Sequence, residues 1–148
     1  YHHGNGSQAI FWDEARVFVG SLHGDPDYAY PFYSGYADET GGPEALGTNL
    51  NVPLPAGTDG ADYLTALDGM LDRVSAFDPA TLVVSTGYDA YAGDPLSTFE
   101  VEADAYGHIG SRLAQLDRPT LFVQEGGYCL EALGALAQNL ISGFLSGG

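Results

Sequence analysis

Four residues of this sequence have side chains of the kind a hydrolytic metal site could use: His2, His3, Asp89 and Tyr128. Each stands in or beside a turn. The contexts are Tyr1-His2-His3-Gly4-Asn5-Gly6, Gly87-Tyr88-Asp89-Ala90-Tyr91 and Glu125-Gly126-Gly127-Tyr128. Neutral imidazole and carboxylate are the donors a catalytic zinc takes, with one position left for water. The metal lowers the pKa of that water to about 7 and polarises a carbonyl. A tyrosine phenol, with a reference pKa of about 10, stays protonated at neutral pH. It can then donate a hydrogen bond to a developing oxyanion. Gly126 and Gly127 allow the tight backbone path that such a phenol needs. Each residue also has an ordinary structural use. Asp89 can cap a helix or tie a turn, and a tyrosine after two glycines can simply pack.

Parallel strands would bring these groups together. Thr81 to Thr86 is apolar and β-branched at successive positions, the pattern of a strand buried on both faces of a parallel sheet. Asp89 follows at its carboxyl end, where ligands bind in open α/β sheets. Thr120 to Val123 is a second strand of this kind and leads into Gln124 to Tyr128. Arg16 to Leu22 and Leu50 to Leu54 are two more. Helices are predicted from Gly6 or Ser7 to Trp12, and from a Thr58 or Asp59 cap to Phe77. Two others run from about Val101 to Leu116 and from Leu130 to Leu145. Their apolar stripes are Tyr63, Leu64, Leu67, Leu71, Val74 and Phe77, then Ala105, Ile109, Leu113 and Leu116, then Leu133, Leu136, Leu140, Ile141 and Phe144. Alternating strands and helices predict an α/β fold, a parallel sheet with helices on both faces. Gly24 to Gly47 shows neither period. Its aromatics (Tyr28, Tyr30, Phe32, Tyr33, Tyr36) argue for an ordered functional loop.

Composition narrows the partners. Twenty acidic residues face four arginines and no lysine, a net charge of −16. That argues against nucleic-acid binding. It suits a cationic substrate, or a salt-loving host that solvates its surface with carboxylates. No apolar run is long enough to span a membrane. The single Cys129 excludes an internal disulfide and fits a reducing cytoplasm. The chain opens at Tyr1 within what reads as a working motif, so a piece of a longer protein is expected.

Together these motifs resemble the histone deacetylase branch of the arginase/deacetylase superfamily, and within it the acetylpolyamine amidohydrolases. The resemblance rests on Tyr1 to Gly6, Ser21-Leu22-His23-Gly24-Asp25-Pro26, Gly35 to Gly41, Asn51 to Thr58, Asp89 with Gly93-Asp94-Pro95, and Glu125 to Tyr128. It covers residues 1–148 as the C-terminal part of a single deacetylase catalytic domain, with the three-layer fold of that superfamily. It implies zinc-dependent hydrolysis of N-acetyl amides, of acetylpolyamine or acetyl-lysine type. His2 and Asp89 would be zinc ligands, and Tyr128 would stabilise the tetrahedral intermediate. A third ligand, an Asp two positions before His2, and a general-base His-His pair would lie upstream of Tyr1. On its own, then, the 148-residue polypeptide is expected to be inactive. His3 would be the structural neighbour of the ligand. Tyr30 would line the substrate tunnel, with Gly126 and Gly127 also against the substrate. A potassium ion would be held by Ser21 (hydroxyl), Leu22 and His2 (carbonyls), and a second monovalent ion near Phe11 and Val17. The implied partner is a small cationic N-acetylated amine or acetyl-lysine, in the cytoplasm, without nucleic acid or membrane; a homodimer is compatible with it.

Two other readings stand beside this one. A manganese ureohydrolase of the same superfamily would need denser Asp-x-His-x-Asp clusters than occur here. A non-catalytic ligand-binding relative would have less reason to keep His2, Asp89 and Tyr128 together. His23, at a strand end, is expected to satisfy local backbone groups, and His108 to be solvated. Cys129 reads as a small buried apolar group and Trp12 as core or helix packing.

Overall fold

The computed structural model describes residues 1–148. Its elements alternate as the sequence predicts: α1 (Asn5–Phe11), β1 (Val19–Gly24), β2 (Asn49–Leu54), α2 (Gly60–Phe77), β3 (Leu82–Thr86), α3 (Ala105–Ala114), β4 (Thr120–Gln124) and α4 (Leu130–Ser146). All strand pairing is parallel. β1 pairs with β2, placing Ser21 opposite Asn51, and β3 pairs with β4, placing Val84 opposite Phe122. The architecture is α/β, and within these residues the strands form two separate pairs.

Segment 98–101 ties the pairs together. Gly57 N–H donates to Thr98 O at 2.8 Å and Glu100 N–H to Thr58 O at 2.8 Å. On the other side, Ala92 N–H donates to Val101 O at 2.9 Å. Tyr1 joins them again. Its carbonyl accepts from Gly24 N–H at 2.9 Å, at the end of β1, and its ring packs edge-on against Phe99 at 4.9 Å. The residues that follow Tyr1 are therefore held between the exits of β1 and β3.

α2 begins at Asp59, whose carboxylate accepts from the N–H groups of Ala61 and Asp62, both at 2.9 Å. It stops at Asp78, which turns left-handed at φ 56°. α3 and α4 cross closely because both are glycine-bearing at the contact. A Cβ at Gly143 would overlap the carbonyl of Gly107, and one at Gly110 would overlap that of Leu140. The core lies here. Val101, Leu136 and Leu140 are at most 1% exposed and pack with Tyr88, Phe99 and Tyr106. Each such side chain contributes about 1.5–3 kcal/mol on burial.

Three expectations need correction. β3 is not covered on both faces: Leu82, Val84 and Thr86 point inward, while Val83 is 66% exposed, as is Leu121 beside it at 57%. Only β4 pairs with β3, and nothing among these residues packs on the Val83 side. α3 starts at Ala105 rather than Val101, because Val101 is used in an isolated bridge to Tyr91. In α4 only Leu136 and Leu140 are buried; Ile141 stays 39% exposed.

Candidate active site

Asp89 sits three residues beyond β3 and is 2% exposed. Its Oδ2 lies 2.9 Å from His2 Nδ1, and its Oδ1 accepts from the Tyr1 nitrogen at 2.9 Å. Burial alone would raise its pKa. The hydrogen bonds from the Tyr1 nitrogen and from His2 act against that. The carboxylate rests in a glycine cradle. A Cβ on Gly87 would come within 2.5 Å of Oδ1, and one on Gly126 would overlap Oδ2. Thus the β3 exit and the β4 exit meet at Asp89. Their main chains meet as well, through Tyr88 N–H to Gly126 O at 2.9 Å.

His2 reaches Asp89 because Tyr1 is anchored at both strand exits. Its side chain is 27% exposed, and its ring stands edge-on to Tyr30 at 6.1 Å. Tyr30 in turn packs edge-on to Phe32 at 6.1 Å. Gly127 adopts φ +133°, a conformation open to glycine and strained for other residues. Tyr128 follows and is 48% exposed. The structure therefore brings together His2 and Asp89, sets Gly126 against that pair, and puts Tyr30 beside His2.

His3 turns away from this group. It is buried, with Nδ1 3.2 Å from Ser21 Oγ; Ser21 Oγ is 2.8 Å from His23 Nδ1, and His23 Nε2 is 2.9 Å from Gly35 O. A carbonyl only accepts, so His23 Nε2 carries the proton and its Nδ1 accepts from the Ser21 hydroxyl. His3 Nδ1–H then donates to Ser21, leaving Nε2 buried and without a partner. Burial pushes both imidazoles down, that of His23 to about 4. Neutral, sequestered rings suit the structural roles expected of His3 and His23. His108 is exposed on α3 as expected, whereas Cys129 is half-buried rather than enclosed.

β1 meets the residues on either side of His2, through Gly24 N–H to Tyr1 O and Ser21 Oγ to His3 Nδ1. Phe11 and Val17 flank a tight turn in which Glu14 N–H takes Phe11 O at 3.0 Å and Val17 N–H takes Glu14 O at 3.1 Å.

Sequence reasoning left two features without a role. One is Asp94, 5% exposed, whose carboxylate reaches the main chain beside Tyr128. The other is a buried amide cluster. Gln8 Oε1 accepts from Asn49 and Asn51 at 3.1 and 2.9 Å, while Glu39 Oε2 accepts from Gln8 at 2.6 Å and from Gly35 N–H at 2.8 Å. This cluster fixes the long aromatic loop on β2. Polar residues in the apolar register of β2 were its one sequence signal.

The histone deacetylase domain matches residues 1–144. Acetylpolyamine amidohydrolase 2 of Pseudomonas aeruginosa is 44% identical over 144 residues, 97% of this chain and 42% of that protein. A solved structure of the acetylpolyamine aminohydrolase from Burkholderia pseudomallei superposes with a TM-score of 0.96 at 41% identity, over 99% of this chain and 43% of that one. A structure of an HDAC homolog complexed with SAHA superposes with a TM-score of 0.88 at 36% identity, over 99% and 39%. The chain thus spans about two-fifths of the length of the curated relatives it matches.

Proposed function

Since this chain belongs to the histone deacetylase domain family, we propose that its protein hydrolyses N-acetyl amides of small cationic amines, with zinc as the metal. The observation that carries the proposal is the 2.9 Å His2–Asp89 pair, set in its glycine cradle against the turn that leads to Tyr128. One imidazole and one buried carboxylate match the donor chemistry of a catalytic zinc. His2 and Asp89 would hold it, and the ion would supply Lewis acidity and an activated water at neutral pH. No group of three or more His, Cys, Asp or Glu placed to hold a metal ion occurs within the 148 residues. The remaining ligand and the general base are therefore proposed to come from elsewhere in the protein, and this polypeptide alone to be inactive.

The chain's own residues divide the rest of the work. Asp89 accepts a hydrogen bond on each oxygen, which offsets the cost of its burial. Tyr128 donates its phenolic proton in a hydrogen bond to the acyl oxygen as negative charge grows there. Gly126 and Gly127 let the main chain approach where a side chain would block it. Tyr30, edge-on to His2, offers an aromatic wall to the aliphatic stem of the amine, and the acids of the loop, Asp25 and Asp27, offer attraction to its cationic remainder. Ser21, Leu22 and His2 are proposed to hold potassium beneath the site. The free thiol of Cys129 is in keeping with a reducing compartment, and no helix is long and apolar enough to cross a membrane.

Metal analysis of the full-length protein, with turnover of acetylspermidine, acetylputrescine and an uncharged acetamide at matched salt, tests this reading. One zinc per site, lost in H2A and D89A, and chelator-sensitive turnover favouring the charged amines are expected. A protein that turns over these amides without bound metal would sink the metal assignment. Equal efficiency on charged and neutral amides would sink the cationic preference.

A further inference from the structure

The chemistry above leaves Asp94 unused, yet it is the most completely hydrogen-bonded carboxylate near the site. It lies on the same exit loop as Asp89. Its Oδ2 accepts from the main-chain N–H groups of Tyr128 at 2.7 Å and Cys129 at 3.1 Å. Its Oδ1 accepts from Leu96 N–H at 2.9 Å, and its own N–H donates to Tyr91 O at 2.9 Å. A buried carboxylate is costly unless such donors meet it, and bonds from N–H to an ionised oxygen are the strong kind.

The location of these bonds gives them a consequence. Two glycines precede Tyr128, and Gly127 is in a region that only glycine enters freely. Torsional freedom is greatest just where the phenol has to be aimed. Asp94 closes that freedom by gripping the nitrogen of Tyr128 itself, and so sets the direction of its Cα–Cβ bond. The β3 exit loop then clamps the β4 exit loop at two points, Asp89 against Gly126 and Asp94 against Tyr128. We infer that Asp94 is a positioning residue for Tyr128, holding the main chain so that the phenol meets the acyl oxygen. The inference rests on the reading of Tyr128 as the oxyanion donor. A narrower role exists: Cys129 caps α4 without a side-chain hydrogen bond, and Asp94 would then serve only as a remote cap.

A double-mutant cycle on the full-length protein separates these roles. Steady-state kinetics on an N-acetylated polyamine are measured for wild type, D94N, Y128F and the double variant, with melting followed in parallel. Y128F is expected to lower kcat by about 10²–10³-fold, the usual loss of one oxyanion donor. D94N is expected to lower kcat on the order of 10-fold with KM little changed, because a misplacement of about 1 Å can cost up to ~10²-fold. In the Y128F background D94N should change kcat by less than about twofold, since the two residues act as one unit. An equal kcat loss in both backgrounds, or a lowered melting temperature with kcat intact, would show a cap only and overturn the inference. Wild-type kinetics for Y128F would remove the oxyanion reading itself, and this inference with it, by a signature that does not involve Asp94. Should D94N fail to fold, D94E keeps the charge while displacing the acceptor, and the same cycle applies.

Discussion

Asp89 shows how a residue of ambiguous type acquires a role from its neighbours. In the sequence it is a loop aspartate two positions after a glycine, equally suited to tying a turn. In the structure it is enclosed, bonded to His2 on one oxygen and to the Tyr1 nitrogen on the other. The two glycines around it are as specific as the carboxylate. Gly126→Ala would place a methyl group on the carboxylate, and neither Asp89 nor the β4 exit can retreat, because Tyr88 N–H is bonded to Gly126 O. Turnover of the full-length protein is expected to fall by on the order of 10²-fold in G126A, as a reacting group shifted by about 1 Å loses that much. If His2 and Asp89 hold zinc as proposed, bound metal, read by metal analysis, should fall with it. Activity within twofold of wild type would show that the cradle tolerates a side chain. His3 is the contrasting case. Its adjacency to His2 invites a catalytic role, but strand β1 supplies Ser21 as its partner and it is buried away from the site.

Elements were legible wherever local chemistry decides them. α2 has a cap residue, an apolar stripe and a left-handed stop within its own sequence, and it forms between them. Replacing Asp59 by Ala removes the acceptor for two N–H groups and is expected to destabilise the protein by about 1 kcal/mol, measured by chemical denaturation with the active site untouched. No change in midpoint would mean that water caps this end equally well. Where packing decides, the pattern misled. α3 lost its first turn because Val101 pairs with Tyr91 instead. The aromatic loop has no period at all, and its order comes from Gln8, Glu39, Asn49 and Asn51, which come from separate segments of the chain.

At the scale of the molecule, charge and exposed apolar surface dominate. With a net charge of −16 and only four arginines, like-charge repulsion opposes compaction and salt should relieve it. The melting temperature is therefore expected to rise between about 0.01 and 1 M salt, as the Debye length falls from roughly 30 to 3 Å. A flat or falling curve would show that the carboxylates are already balanced locally. The face of β3–β4 that carries Val83, Leu121 and Val123 is open in these residues. Strand and helix types and the parallel connectivity were determined by the sequence itself, because periodicity and capping are local properties, and His2, Asp89 and Tyr128 stood out in it as candidates by residue type and by the motifs around them. Which imidazole faces Asp89, which glycines make room for it, and the grip of Asp94 on Tyr128 were decided only by tertiary structure. These are distances between segments 34 to 87 positions apart, set by strand pairing and by Tyr1 wedged between two strand exits.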